Sequence, residues 1–214
     1  MPITPAILPK FIQAIADAIE KNADEITALD QAIGDGDHVF NLQRGLTALT
    51  AQSAELASQE WSTAWQKIGM TLMSTIGGAS GSLYGTLFLA MSKTTHANPL
   101  DLKSFADIFA EGVEAVKKRG KAEAGEKTML DVFIPVAEYL KTLNDSANFS
   151  EVLKNISQTA IAGMESTRNM IATKGRASFL GERSIGHIDA GAKTGQLMIC
   201  ALVDVLTETL ATPT

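Results

Sequence analysis

One cysteine, six prolines and four Trp and Tyr residues in 214 positions leave few routes to stability other than a large apolar core. The single thiol, Cys200, excludes a disulfide framework and a thiolate metal site. Its setting, Met198-Ile199-Cys200-Ala201-Leu202, predicts a buried small hydrophobe. Basic residues are also scarce, 18 Lys and Arg against 24 Asp and Glu, and the net charge of -6 argues against a nucleic-acid surface, which needs clustered cations. Long apolar runs are missing as well. The stretch 197–203 is far short of the roughly 20 residues that span a bilayer, and Met1-Pro2-Ile3-Thr4-Pro5 lacks the basic start of a signal peptide. The expectation is a cytoplasmic protein with no membrane or nucleic-acid partner.

Strand-like alternation is nearly absent too, and helical spacing takes its place. Ile7, Phe11, Ile15 and Ile19 follow it, as do Phe105, Phe109, Val113 and Val116, and Val152, Ile156, Thr159 and Gly163. The pattern predicts eight helices near residues 5–29, 41–56, 60–75, 80–94, 101–119, 127–143, 149–173 and 190–211, an all-α class. Ser62, Asp101, and Ser150 followed by Glu151 read as helix starts. With 45% hydrophobic residues and no linker, residues 1–214 are expected to form a single domain. Short connections favour antiparallel neighbours in an up-and-down bundle. In such a bundle every second loop emerges at the same end. The glycine-rich connections 30–41, 77–85, 120–128 and 174–191 follow the first, third, fifth and seventh predicted helices, so they converge on one rim.

Chemistry concentrates in those loops. Asp30, Asp35 and Asp37 surround Gly34 and Gly36, and carboxylates this close repel one another unless a hard cation such as magnesium or calcium neutralises them. The register is not an EF-hand, because Asn41 stands where that loop has its bidentate Glu. Gly77-Gly78-Ala79-Ser80-Gly81 opens a helix with small residues whose backbone N–H groups suit phosphate, although small residues also let helices pack closely. The segment from Gly120 to Lys127 and Thr128 imitates a Walker A loop, but its lysine is one residue late and no strand precedes it. Met129 beyond it suits either a base or the core. In the last loop Arg176 suits a polyphosphate through paired N–H donors, and Asp189 suits either a helix cap or a nucleotide ribose. His38 and His187 sit in polar glycine loops, whereas His96 reads as a surface residue and Trp61 with Trp65 as packing. Asp17, Glu20 and Lys21 read as a solvated face.

Asp30 with Ile33-Gly34-Asp35-Gly36-Asp37-His38 and Asn41 begins a series of separated motifs. It continues through Gly77-Gly78-Ala79-Ser80-Gly81, Gly120-Lys121-Ala122-Glu123, Lys127-Thr128-Met129-Leu130-Asp131, and Gly175-Arg176-Ala177-Ser178 to Gly186-His187. Over nearly its whole length the chain resembles the nucleotide-binding L subunits of dihydroxyacetone kinase. The resemblance implies an eight-helix antiparallel up-and-down barrel that holds ADP or ATP and two Mg2+ ions at one rim. It implies Asp30, Asp35 and Asp37 as metal ligands and, with Arg176, as the catalytic set. His38, Asn41, Ala79, Ser80, Gly120, Met129, Arg176, Asp189 and Gly191 are the implied nucleotide contacts.

The implied reaction uses bound ADP as a relay. A phosphotransferase-system protein rephosphorylates it in place, and the phosphoryl group passes to dihydroxyacetone on a separate subunit, so both proteins are implied partners. One alternative is the nucleotide domain of an ATP-dependent dihydroxyacetone or fatty-acid kinase, normally fused to a substrate domain, against which the end of this chain at Thr214 speaks. Another is a non-catalytic regulatory module that binds nucleotide and contacts a protein such as a transcription regulator. Val39 departs from a usual glycine, and Ser82, Ala124 and Ala190 stand where proline is common. None of these removes an implied ligand.

Overall fold

The computed structural model describes residues 3–95, 100–144 and 147–211; His96, Met1, Pro2 and Thr214 lie outside the described residues. Nine α-helices follow one another among them: α1 (Leu8–Lys21), α2 (Ala23–Ile33), α3 (His38–Ala57), α4 (Trp61–Thr75), α5 (Gly78–Thr94), α6 (Leu102–Gly120), α7 (Leu130–Lys141), α8 (Phe149–Ser166) and α9 (Ala190–Ala211). The only extended pairing among the described residues is one bridge between Ile3 and Leu100. The all-α expectation holds.

Boundaries differ from the periodicity at three places, each for a local reason. The first predicted helix is two, because Asn22 takes φ -107°, ψ 13°, and its side-chain Nδ2 donates to Ala18 O at 2.7 Å. Asn competes in this way with the backbone ladder. The helix predicted from 127 begins at Leu130, since Gly125 and Lys127 adopt positive φ of 87° and 62°. The helix predicted to 173 ends at Ser166, where Ser166 Oγ donates to Gly163 O and Thr167 Oγ1 to Met164 O and the chain tightens into the 3-10 turn Thr167–Asn169. Of the predicted caps, Asp101 accepts from Ser104 N at 2.7 Å. Glu60 rather than Ser62 precedes α4, and Asn148 rather than Ser150 caps α8 by accepting from Glu151 N.

Packing runs as a closed circuit: α1 on α3, then each helix on its successor from α3 to α9, and α9 back on α1. Helix α2 stands outside this circuit, against α3, α9 and the 3-10 segment Arg176–Ser184. The circuit encloses an apolar cavity of about 240 Å³ lined by residues such as Ile12, Ile68, Leu87 and Phe133. Trp61 and Trp65 stack at 4.6 Å, the packing role their spacing predicted. Helix α9 is long and apolar enough to cross a membrane by length and composition, but in the fold it packs against α1, α7 and α8. Cys200 is only partly buried: successive helix residues step about 100°, so it does not share the direction of buried Ile199 before it.

One close approach has a testable consequence. A Cβ on Gly163 of α8 would collide with Asp131 O of α7 and stand 3.1 Å from Val132 Cα, and backbone cannot rotate aside as a side chain can. Gly163→Ala is expected to separate α7 from α8 and lower stability by about 2–3 kcal/mol, read from the urea unfolding midpoint.

Candidate functional site

Helix α2 ends at Ile33, so Asp30 lies in its last turn, not beyond it. A Cβ on Gly34 would collide with the Asp30 carboxylate, and Gly36 takes φ +79°. The chain therefore doubles back within four residues, a path open to glycine and costly to other residues. One oxygen from each of Asp30, Asp35 and Asp37 lies within 4.8 Å of the others, Asp30 partly buried and the other two exposed. Three hard oxygen donors at this separation fit a magnesium or calcium ion.

His38 opens α3 directly after this loop. Its backbone N–H donates to Asp30 Oδ2 at 3.1 Å, its Nε2 lies 3.0 Å from Thr194 Oγ1, and its Nδ1 lies 3.4 Å from Ser80 Oγ. Burial holds the imidazole below its ordinary value of 6.5, against the pull of Asp30, Asp37 and Asp35 in the other direction. Asn41, one turn on, is buried, and its Oδ1 occupies the place a Cβ on Gly77 would need. Gly77 precedes α5 without any side-chain cap, Ala79 is exposed and Ser80 half-buried, so first-turn N–H groups remain available to an anion.

Gly120 ends α6 against Leu83 of α5, while Arg119 Nε donates to Ser82 Oγ at 2.8 Å. The loop beyond is tied internally by Asp131, which accepts from Gly125 N and from Thr128 N. Glu126 ties it to the next loop by accepting from Thr173 Oγ1 at 2.8 Å and pairing with Lys174. Lys127 is 1% exposed and donates to the carbonyls of Thr167 and His187. Burial lowers its ammonium from the usual lysine range, with Arg168 acting the same way and Asp189 and Asp131 against it. Met129 is 5% exposed, so the packing alternative for its side chain is realised, with Gly191 beside it.

The fourth loop closes the rim. Its 3-10 turns carry Arg176, whose Nη2 meets Asp35 Oδ2 at 2.8 Å while most of the side chain stays in solvent. Asp189 accepts from Ala192 N at 2.7 Å, which is the cap predicted as one of its two roles, and donates its own N–H to Thr167 Oγ1. Burial pushes its carboxyl up to about 7, over the opposing Ala192 N–H and Lys127, with Asp131 and Asp30 adding to the rise.

A carboxyl raised in the fold is protonated there while still ionised in the unfolded chain. Its contribution to stability is therefore largest below the unfolded value of about 4 and is lost as pH rises to about 7. Asp189→Asn keeps an acceptor for Ala192 N but has no such titration. Wild-type stability in EDTA is expected to fall relative to this variant by roughly 2 kcal/mol from about pH 5 to about pH 8, measured by urea unfolding.

The predicted residues thus fall into two connected groups. Asp30, Asp35, Asp37, His38, Ser80 and Arg176 form one, with Asn41 beside Gly77; Met129, Asp189 and Gly191 form the other. Thr194 joins them, since its Oγ1 lies by His38 and donates to Gly191 O. Gly120, at the end of α6, has no such link to either group; its neighbour is Leu83 of α5. The sequence reading missed Thr194 and the burial of Lys127; the one available signal for Thr194 was a hydroxyl three residues after Gly191 among small helix residues.

Known proteins resemble the chain in sequence and in fold. The DAK2 domain matches residues 32–204. The chain is 39% identical over 194 residues to the ADP-binding subunit of PEP-dependent dihydroxyacetone kinase 1 of Listeria innocua serovar 6a, covering 91% of this chain and 93% of that one. It is 38% identical over 191 residues to the ADP-binding subunit of the PEP-dependent dihydroxyacetone kinase of Escherichia coli strain K12, covering 88% and 91%. The crystal structure of the dihydroxyacetone kinase from C. freundii in complex with AMP-PNP and Mg2+ superposes with a TM-score of 0.72 at 21% identity, over 95% of this chain and 34% of that one, and shares the fold. Matched along most of its length by the domain and by full-length relatives, the chain belongs to the family of dihydroxyacetone kinase ADP-binding subunits built on the DAK2 domain.

Proposed function

We propose that this chain is the nucleotide-binding, phosphoryl-transfer subunit of a dihydroxyacetone kinase, a single cytoplasmic domain working without membrane or nucleic acid. The observation that carries the reading is the meeting, at one rim, of three carboxylates, an exposed guanidinium and an uncapped helix start. Phosphoryl transfer asks little covalent chemistry of a protein and much charge neutralisation and alignment. Magnesium held by Asp30, Asp35 and Asp37, two ions by family analogy, would neutralise the phosphates of ADP or ATP. The first-turn N–H groups at Ala79 and Ser80 offer donors to phosphate oxygens. Arg176, free to swing because most of it is in solvent, can exchange Asp35 for a phosphate oxygen and supply the fourth catalytic group. His38, Asn41, Gly120, Met129, Asp189 and Gly191 would frame the rest of the nucleotide, Met129 mainly through its backbone because its side chain is packed.

Two exposed aromatic side chains support docking of other proteins at the rim. Phe40 is 64% and Phe179 87% exposed, and both lie in segments that carry site residues. Large apolar side chains in that position suit transient docking of other proteins. The reading assigns them to a dihydroxyacetone-binding subunit that accepts the phosphoryl group and a phosphotransferase-system protein that supplies it, with bound ADP as the relay.

The chain purified without added nucleotide, then denatured, is expected to release ADP at close to one per chain. Nucleotide-free protein that exchanges MgATP freely would favour an ATP-dependent kinase domain. Protein that binds neither nucleotide would overturn the reading and leave the regulatory module.

A further inference from the structure

His38 is held between two hydroxyls, one on each ring nitrogen, and the two are not equivalent. Ser80 Oγ is half-buried at the start of α5 and lies 3.4 Å from Nδ1. Thr194 Oγ1 is fully buried in α9, lies 3.0 Å from Nε2, and lies 3.1 Å from the carbonyl oxygen of Gly191 three residues back in the same helix.

Proton accounting fixes the direction of these bonds. A threonine hydroxyl has one proton and two lone pairs. The Gly191 carbonyl can only accept, and two oxygens at 3.1 Å repel unless a proton lies between them, so the Thr194 proton points at Gly191 O. What remains toward His38 is a lone pair. The Tyr84 hydroxyl, buried near Thr194, can add a second donor to that oxygen, which still leaves the Thr194 proton on Gly191 O and one lone pair for His38. Nε2 must therefore carry a hydrogen and donate. That holds whether the ring is neutral or charged. In the neutral ring Nδ1 then has no proton and accepts from Ser80, which turns the free lone pairs of Ser80 Oγ away from the imidazole.

We infer that Thr194 is a positioning residue: its buried hydroxyl accepts from His38 Nε2–H and so fixes the ring plane, and through it the direction of Ser80, at the nucleotide rim. This rests on the nucleotide-binding reading above. The ring is held from α9, the backbone of the same residue by Asp30 of α2, and Ser80 stands at the start of α5, so the contacts of His38 link Thr194 to both other elements at the rim. The arrangement resembles the way ligating histidines are oriented through their other ring nitrogen.

Thr194→Val is nearly isosteric and removes the acceptor, whereas Thr194→Ser keeps it. Nitrogen-15 spectra of the histidine-labelled full chain distinguish a protonated from an unprotonated ring nitrogen, with His38→Gln assigning the signals. Wild type and Thr194→Ser should show His38 protonated at Nε2 and bare at Nδ1; Thr194→Val should lose that pattern. Titration of nucleotide-stripped chain with MgADP should give about tenfold weaker binding for Thr194→Val and binding within about twofold of wild type for Thr194→Ser, at matched melting temperatures. A bare Nε2 in wild type, an unchanged spectrum in Thr194→Val, or unchanged MgADP binding in that variant would each overturn the inference. The spectra need no nucleotide, so a chain that bound none would sink the functional reading while the ring nitrogen still decided the role of Thr194.

Discussion

The double variant Asp35→Asn, Asp37→Asn is expected to lose magnesium-dependent ADP binding and at least about a thousandfold in phosphoryl-transfer rate, while its apoprotein melts above wild type in EDTA at low salt. Both effects come from one arrangement. Oxygens of Asp30, Asp35 and Asp37 lie within 4.8 Å of one another, and the ion pair recorded at the cluster is Arg176 with Asp35. Without a cation, like charges at this distance oppose the fold. With one, they hold it and the phosphates it neutralises. Asparagine keeps the size of each side chain and one oxygen, so the turn through Gly34 and Gly36 persists and the change isolates charge. Because two of the three carboxylates are exposed, the apoprotein gain should shrink as salt screens the repulsion. Calorimetric titration with MgADP, a coupled kinase assay with the partner proteins and a melt in EDTA read the three quantities. Retained magnesium-dependent binding in the variant would remove the aspartates from the metal site. A lower apoprotein melt would mean that they serve the turn and not an ion.

How much of this could be read from the chain depends on whether the cause is local. The meeting of the three carboxylates was legible because its determinants are adjacent: three aspartates, two glycines and the start of a helix within twelve positions. The convergence of the four loops was legible because it follows from alternating direction alone. The break at Asn22 was not, since Ile19 and Ile26 are both buried and the apolar rhythm runs through the break. The early end of α8 was hidden in the same way, because Ala172 is buried beyond it although the helix has stopped. Cys200 misled because its apolar neighbours say that its helix is buried but not which way that one residue faces. Thr194 and Lys127 lay furthest from reach: the partner of Thr194 is 156 positions away, and those of Lys127 are 40 and 60 positions away. No window of sequence contains such pairs.

Lys127→Met is expected to lower stability by about 2–4 kcal/mol and to weaken ADP binding, although no part of the substitution touches the loop of Asp30, Asp35 and Asp37. The ammonium is 1% exposed and donates to Thr167 O and His187 O, which belong to the end of α8 and the approach to α9. Methionine has nearly the same length and, like lysine, no branch at Cβ, so the strain of φ +62° is common to both and cancels. What differs is the loss of two donors to buried carbonyls, each costing about 1–3 kcal/mol when left unpaired. Part of that cost is offset, since burial already disfavours the charged amine. The donors matter more than the charge, because a neutral amine would still carry N–H groups toward both oxygens. Asp189 loses an opposing charge at the same time, so its carboxyl should move further above about 7 and the acid side of the stability profile should widen. Urea unfolding as a function of pH measures both. A variant that kept wild-type stability but lost ADP binding would place Lys127 at the nucleotide. Loss of both together supports its role as the tie that holds Met129, Asp189 and Gly191 on one side of the rim while the aspartates and Arg176 close the other.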